Sequence, residues 1–310
     1  EFNERFRLSA IAVEEILFDI GYRLEHPTNR SKALSAKHQL MITLHWLGNG
    51  CQYHGIADMH GMAKSSVCRS IHSAITAINE IKFPQVVCWP QNCEQIVQEF
   101  YNIARMPQVV GCIDGTLINI DAPNENEAQY VDRHGKHSIN CMAVCGPDMK
   151  FYYASANWPG SVHDSRVLRR SNLFRMMEQG WRPFPHSVLL GDSAYPLRDW
   201  LVTPKLVNLD ELRVQRFNRA HKSTRRLIEN AFGILKEKFP CLNYLRVDPI
   251  FAANIFKCCI TLCNISHREF QNNEIQENNI VDDIPEPEEE EQLEEPAIAY
   301  RRNQLINTFQ

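Results

Sequence analysis

The chain has 310 residues, of which 44% are hydrophobic, and its 33 Lys and Arg against 37 Asp and Glu give a net charge of −4. This length suffices for one large globular domain or two smaller ones. Neither a signal peptide nor an apolar run of transmembrane length is evident, which predicts a soluble protein that stays inside the cell and has no membrane partner. The first residue is Glu1 rather than Met, which is compatible with a piece of a longer protein.

The charges are unevenly distributed along the chain. Residues 274–296 carry 11 acidic and no basic side chains, whereas residues 1–273 carry 31 Lys and Arg against 26 Asp and Glu, or +5. Repelling charges and little apolar surface predict that residues 273–310 form a disordered acidic tail. The mildly basic remainder is compatible with a nucleic-acid partner.

The 11 cysteines show no C-x-x-C spacing. This favours free thiols in a reducing compartment over a disulfide framework or a zinc finger. Cys259, Cys263 and His267 share one helix face at i, i+4 and i+8, but three ligands on two turns of one helix do not easily close a tetrahedron. We therefore interpret them as core residues.

Residues 1–83 are predicted to form a helical domain. A short helix, a Gly-containing turn and a helix over 65–78 follow the outline of a helix-turn-helix, with Arg69 and His72 as candidate DNA contacts on the polar face. A plain three-helix packing unit explains the pattern equally well. Residues 84–106 form the predicted linker, which includes a helix. The apolar stripe of the 65–78 helix consists of Val67, Ile71, Ile75 and Ile78.

Residues 107–272 consist of short apolar segments typical of strands, separated by helical segments. This order predicts an α/β fold with a mixed sheet. The predicted elements are a strand over 108–120, a hairpin with its turn at 146–149, a helix over 163–180, strands near 187–191 and 200–204, a basic helix over 212–239 and an apolar helix over 250–270.

Four carboxylates in this region are candidates for a shared site. Asp114 and Asp192 each lie within or just after an apolar strand, where a carboxylate is costly to bury without a partner. Neighbouring strands place such residues side by side, while Asp164 opens the helix after the hairpin and Glu229 borders the apolar stripe of the basic helix. Gathered carboxylates repel each other, and a divalent cation relieves that repulsion. Hard oxygen ligands suit Mg²⁺ or Mn²⁺.

Each carboxylate also has an ordinary structural interpretation. Asp114 with the following glycine fits a strand-end turn, Asp164 and Asp192 fit helix caps, and Glu229 fits an ion pair with an arginine three or four residues earlier. Taken singly, these interpretations are favoured. Taken jointly, on this order of strands and helices, the metal site is favoured.

The basic stretch 213–238 is the predicted path of a nucleic-acid backbone beside such a site. A solvated charged face remains the alternative. The candidate DNA contacts in this stretch are Arg219, Lys222, Arg225 and Arg226.

Four blocks, at 111–120, 157–171, 189–197 and 225–236, resemble in order those of the PIF/Harbinger superfamily of DDE transposases. The domesticated Harbinger transposase-derived nucleases are especially similar, and the resemblance extends to about residue 270. It implies a ribonuclease H-like fold and cleavage of DNA by a two-metal-ion mechanism.

Carried over residue by residue, the resemblance assigns Asp114, Asp192 and Glu229 as catalytic metal ligands, with Asp164 as a fourth ligand or a support. It also implies Mg²⁺ or Mn²⁺ as cofactor, DNA as substrate, and a separate Myb/SANT-like partner that supplies sequence recognition and nuclear import. We therefore expect a nuclear protein, also cytoplasmic without its partner, and a homodimer. The alternative is a catalytically silent DNA-binding or adaptor protein with the same fold.

Overall fold

The computed structural model of the chain describes residues 1–26, 33–270 and 296–309. Its strands form one sheet and consist of β1 (Val109–Asn119), β2 (Ser138–Cys145), β3 (Phe151–Pro159), β4 (Val188–Leu190) and β5 (Leu201–Val202). The described α-helices are α1 (Phe2–Phe6), α2 (Ala10–Leu24), α3 (Ala36–Asn49), α4 (Tyr53–His60), α5 (Lys64–Ala77), α6 (Phe83–Val86), α7 (Cys93–Ala104), α8 (Glu127–Tyr130), α9 (Asp164–Arg169), α10 (Asn172–Glu178), α11 (Leu212–Lys238), α12 (Pro249–Phe270) and α13 (Pro296–Ile306). A π-helical turn, Ile78–Lys82, follows α5, and a 3-10 turn, Pro240–Asn243, follows α11.

The sheet has the strand order β3-β2-β1-β4-β5. Strands β1, β2 and β3 pair antiparallel, whereas β4 is parallel to β1 and β5 is parallel to β4. The predicted α/β fold with a mixed sheet is therefore confirmed. The predicted hairpin is also present, as β2 and β3.

Helices cover both faces of this sheet. All eight residues of β2 are buried, as is typical of a strand packed on both sides. Consecutive residues of β1 point to opposite faces, so Cys112 joins a cluster with α11 and α12 while Ile113 joins a second cluster with α9 and α10. The first of these clusters also contains the core residues of the amino-terminal helices.

The amino-terminal helices share their core with the rest of the molecule. Leu44 of α3 and Ile71 of α5 belong to the same buried cluster as Phe256 of α12. All four residues of the apolar stripe predicted over 65–78 are fully buried, and the last of them, Ile78, begins the π-helical turn after α5. Most of the predicted linker, 84–106, is helical, in α6 and α7.

The single helix predicted over 163–180 is two helices. α9 ends at Arg169, and the Oγ atom of Ser171 accepts the backbone N–H of Phe174 at 3.1 Å. This side-chain cap begins a new helix, α10, because it satisfies an amide that has no partner within the helix.

The prediction of a disordered tail over residues 273–310 is wrong for its last part. Helix α13 packs against α11, and Leu305 and Ile306 are buried in the first cluster. Arg302 is only 2% exposed and donates to the carbonyl oxygen of Pro204 at 3.3 Å. The acidic part of the predicted tail, residues 274–295, lies outside the described residues.

One segment corrects the expectation about transmembrane length. Within the described residues, Pro249–His267 of α12 is long and apolar enough to cross a membrane by length and composition. Its window is 78% buried within the protein, as in the core helix of a soluble protein. Cys259 and Cys263 of this helix are buried, which confirms their interpretation as core residues, and all 11 cysteines are free thiols.

Candidate active site

The register of two parallel strands brings Asp114 and Asp192 to the same edge of the sheet. Cys112 of β1 lies opposite Leu190 of β4, and each aspartate follows two residues later. Because both strands run in the same direction, Asp114, which is still within β1, and Asp192, just past the end of β4, lie side by side on the face covered by α11. Their closeness is evident in the pKa of Asp114, which the negative charge of Asp192 helps to raise.

Helix α11 adds Arg225 and Glu229 to this edge. Both residues directly follow fully buried positions of the helix, Thr224 and Ile228, so they lie at the border of its packed face. The Nη1 atom of Arg225 donates to Oδ2 of Asp114 at 2.9 Å, and its Nη2 atom donates to Glu229, one turn further on. We expected a metal ion rather than a protein group to neutralise Asp114. The expected lack of a protein partner is wrong, because Arg225 pairs with Asp114, whereas neutralisation by a metal ion stays a prediction.

Asp164 approaches the same edge from the start of α9. Its carboxylate lies against Gly115, so close that an added Cβ on this glycine would be 2.4 Å from Oδ1 of Asp164. Asn140 of β2 holds it there, because its Nδ2 atom donates to Oδ1 of Asp164 at 2.6 Å and to the carbonyl oxygen of Val162 at 2.8 Å. The glycine after Asp114 thus leaves the space that the fourth carboxylate occupies.

Negative charges outnumber the guanidinium that contacts them at this site in the described part of the chain. Burial raises the pKa of Asp114 to about 7, against the opposing effect of Arg225 and with the help of Asp192 and Asp164. Burial also raises the pKa of Asp192, again with Asp164 contributing. Although burial disfavours a charged guanidinium, the carboxylates of Asp114 and Glu229 raise the pKa of Arg225. One arginine among four carboxylates therefore leaves excess negative charge.

Two buried polar atoms beside the carboxylates have no hydrogen-bond partner among the described residues. They are the hydroxyl of Tyr195, which is 3% exposed, and Oδ1 of Asn140, which is 4% exposed. Buried polar groups are rarely left without a partner. Hard oxygen donors, excess negative charge and unsatisfied oxygens fit a hydrated divalent cation. As they stand, no three His, Cys, Asp or Glu side chains in the described parts of the chain converge closely enough to hold one metal ion.

The predicted DNA contacts fall into two groups. Arg219, Lys222 and Arg226 are exposed on α11, and Arg69 is exposed on α5. Arg225 is different, since its side chain is only 19% exposed and lies inside the carboxylate cluster. In this structure it pairs with Asp114 and Glu229, and its role as a DNA contact stays a prediction.

Two histidines are held by packing. The ring of His72 stacks on that of Phe251, with centroids 3.6 Å apart. His221 is 1% exposed and contacts the carbonyl oxygen of Val202 at 3.1 Å through Nε2, and burial lowers its pKa to about 4. His221 is therefore held within the core, and one face of His72 is covered.

Sequence reasoning missed Asn140 and Tyr195 as parts of the site. Asn140 had a signal, because it is a polar residue within a strand that is otherwise almost entirely apolar. Tyr195 lies in the same sequence block as Asp192, but its burial beside the carboxylates depends on the path of the chain after β4.

Comparison with known proteins agrees with this geometry. The family described as DDE superfamily endonuclease matches residues 113–264, a range that contains all four carboxylates. "Putative nuclease HARBI1" of Homo sapiens is 34% identical over 255 residues, which cover 80% of this chain and 72% of that protein. "Putative nuclease HARBI1" of Xenopus laevis is 33% identical over 312 residues, 94% of this chain and 85% of that protein.

A plant relative is more distant. "Protein ALP1-like" of Arabidopsis thaliana is 28% identical over 243 residues, 73% of this chain and 60% of that protein. No solved structure matches the chain.

The mixed sheet with Asp114 on its central strand and Asp192 at the end of β4, together with these matches, defines the class as nucleases with a ribonuclease H-like fold. The chain belongs to the DDE superfamily endonuclease family, among its transposase-derived nucleases.

Proposed function

We propose that this protein cleaves phosphodiester bonds of DNA with divalent cations, Mg²⁺ or Mn²⁺, held by Asp114, Asp192 and Glu229 and supported by Asp164. The observation that carries the proposal is that Asp164 lies close enough to raise the pKa of both Asp114 and Asp192, while Arg225 joins Asp114 to Glu229 of α11. Four carboxylates around one arginine retain negative charge that a divalent cation would neutralise.

When bound at such a cluster, divalent cations supply Lewis-acid polarisation of a phosphate and a more acidic water. The chain's own residues prepare the site for them. Asp114 must be ionised to act as a ligand, so its raised pKa means that metal binding displaces a proton from it near neutral pH. Asn140 fixes the orientation of Asp164 by a hydrogen bond of 2.6 Å.

The DNA backbone is proposed to follow α11. Arg219, Lys222 and Arg226 are exposed on this helix, which also carries Glu229. Cationic side chains next to a hydrolytic site position phosphates without reading the base sequence. Arg69 on α5 is proposed as a further contact, which keeps the helix-turn-helix interpretation as part of the proposal.

Sequence recognition and nuclear import are proposed to come from a separate Myb/SANT-like protein, and the chain is proposed to act as a homodimer in the nucleus. The separate partner and its role in nuclear import follow from the resemblance to the PIF/Harbinger superfamily.

A catalytically silent DNA-binding protein is the second candidate. The ion pairs of Arg225 with Asp114 and Glu229 favour it, because they give two of the carboxylates a partner within the protein. The intact set of four carboxylates favours the nuclease, since a silent scaffold has no need to retain all of them.

Nicking of a supercoiled plasmid tests the proposal. Wild-type protein with Mg²⁺ or Mn²⁺ should nick the plasmid, and EDTA should abolish nicking. Asp192→Asn should remove cleavage while DNA binding, measured in parallel, stays within about threefold. Asp199→Asn is the matched control, because Asp199 is an exposed aspartate that pairs with Arg182 away from the cluster. Binding without cleavage in every variant and with every metal would favour the silent protein.

A further inference from the structure

Arg225 occupies the position between two of the proposed metal ligands. One nitrogen of its guanidinium contacts Asp114 on the sheet, and the other contacts Glu229 on its own helix. The side chain is 19% exposed and that of Asp114 is 15% exposed. A single cationic group thus bridges carboxylates from two elements, as a shared metal ion would.

Metal and arginine compete for the same oxygens. The Oδ1 atom of Asp114 already accepts the backbone N–H of Gly115 at 2.9 Å, and Oδ2 accepts Arg225 at 2.9 Å. A cation that binds Asp114 and Glu229 would therefore lie directly beside the Arg225 guanidinium, which is at hydrogen-bond distance from the same carboxylates. Two positive groups so close together repel strongly in a partly buried site.

We propose that Arg225 is an internal counter-ion that the divalent metal displaces, and that the displaced guanidinium then binds a phosphate of the DNA. This inference rests on the proposed function, because it needs a metal at Asp114 and Glu229. It assigns Arg225 two successive partners, the carboxylates before metal binding and the DNA backbone afterwards.

The surroundings of Arg225 place the displaced side chain beside the proposed path of a DNA phosphate. Lys222, about one turn earlier, and Arg226, the next residue, are both exposed on α11, where the DNA backbone is proposed to lie. The planar guanidinium suits bidentate pairing with phosphate as well as with carboxylate. A released arginine that stayed partly buried without an anion would be costly, so a phosphate at this position stabilises the metal-bound state.

Reciprocal coupling follows from this exchange. If metal binding frees Arg225 for DNA, then DNA must raise the affinity for metal by the same factor that metal raises the affinity for DNA. The same arginine would restrain metal binding when no DNA is present.

Calorimetric titration of Mn²⁺ into the full chain without DNA tests the first step. Arg225→Gln should bind Mn²⁺ about tenfold more tightly than the wild type, a typical size for a coupling of this kind. Arg226→Gln removes the same charge from the next position of the helix and should change the affinity less than about threefold. Arg225→Lys keeps the charge but cannot bridge two carboxylates and should lie between wild type and Arg225→Gln. Circular dichroism checks that each variant is folded.

Fluorescence anisotropy with a labelled duplex tests the second step. In Ca²⁺, with the duplex checked for integrity afterwards, the salt dependence of wild-type binding should be steeper than that of Arg225→Gln by about one unit of log–log slope. In EDTA the two slopes should coincide, and Arg226→Gln should be shallower than wild type under both conditions.

The outcomes separate two failures. Equal or weaker Mn²⁺ binding by Arg225→Gln, or equal slopes in Ca²⁺, would overturn the role of Arg225 while leaving a metal nuclease in place. No Mn²⁺ binding by any folded variant would overturn the proposed metal site, and the inference with it.

Discussion

Asp114 combines the features that define the site at the scale of single residues. It lies in an apolar strand, contacts Arg225, and has neighbouring carboxylates that resist its ionisation. The sequence indicated that burying a carboxylate at this position costs free energy unless it has a partner. It could not reveal the partner, because Arg225 is 111 residues away along the chain and only the fold brings them together.

The raised pKa of Asp114 predicts how pH affects the stability of the metal-free protein. Its pKa rises from 3.8 to about 7 on folding, so its contribution is fully present below pH 3.8 and is lost as pH rises through 7. In EDTA, the free energy of unfolding of the wild type should fall by a few kcal/mol relative to Asp114→Asn across this range, at ~1.4 kcal/mol per pKa unit. Urea denaturation at several pH values measures it. A difference between the two proteins that is constant with pH would contradict the assignment.

Gly115 should be required for the position of Asp164. An alanine Cβ would lie 2.4 Å from the Asp164 carboxylate, which is too close for any contact, so Asp164 must move. Gly115→Ala should therefore lower the plasmid nicking rate at least about tenfold. Its effect on the melting temperature should be small. Gly233→Ala is the control, because no atom lies within 4 Å of the position that its Cβ would take, and alanine favours a helix. Full activity of Gly115→Ala would exclude a role for Asp164.

At the scale of elements, the sequence predicted strands and helices where apolar spacing alone decides them. The hairpin, the buried stripe of α5 and the amphipathic α11 are of this kind. It failed at the break between α9 and α10, where the cap at Ser171 interrupts a helical pattern. The sequence prediction also failed at α13. The acidic composition of the tail predicted disorder, whereas the helix forms by packing against α11, which composition does not describe.

Helix α13 should stabilise the molecule, although it follows the acidic segment. Leu305 and Ile306 are buried in the main core cluster, and burial of such a side chain contributes ~1.5–3 kcal/mol. A chain that ends at residue 295 should therefore melt at least several degrees lower than the full chain in differential scanning calorimetry. Leu305→Ala should reproduce part of the loss and the exposed Asn303→Ala should not. Identical melting temperatures for full and shortened chains would show that the helix contributes nothing.

The two candidate DNA contacts on α5 should behave differently. Arg69 is exposed, so Arg69→Ala should weaken DNA binding and leave the melting temperature unchanged. His72 stacks on Phe251, and loss of such a contact costs ~0.5–1.5 kcal/mol. The main effect of His72→Ala should therefore be a lower stability rather than weaker DNA binding. Ser73→Ala, also exposed on this helix, serves as the control in both assays. Unchanged DNA affinity of Arg69→Ala would support the plain packing interpretation of these helices.

At the scale of the whole molecule, one core joins the amino-terminal helices to the sheet that carries the site. The order of apolar segments was sufficient to predict an α/β fold and to predict that Asp114 and Asp192 lie side by side. It was not sufficient to predict the shared core, because periodicity does not relate segments as far apart in the sequence as those of Ile71 and Phe256, which belong to one buried cluster.

The melting temperature of the intact protein with and without Mn²⁺ tests the central claim most directly. If the carboxylates hold divalent cations, the metal binds only the folded state, and saturation at about 100 times Kd adds ~2.7 kcal/mol to the free energy of unfolding. We expect a rise of several degrees for the wild type in millimolar Mn²⁺ over EDTA. The double variant Asp114→Asn with Asp192→Asn should show little or no rise. Equal melting temperatures of the wild type with and without Mn²⁺ would contradict the claim that this edge of the sheet is a metal site.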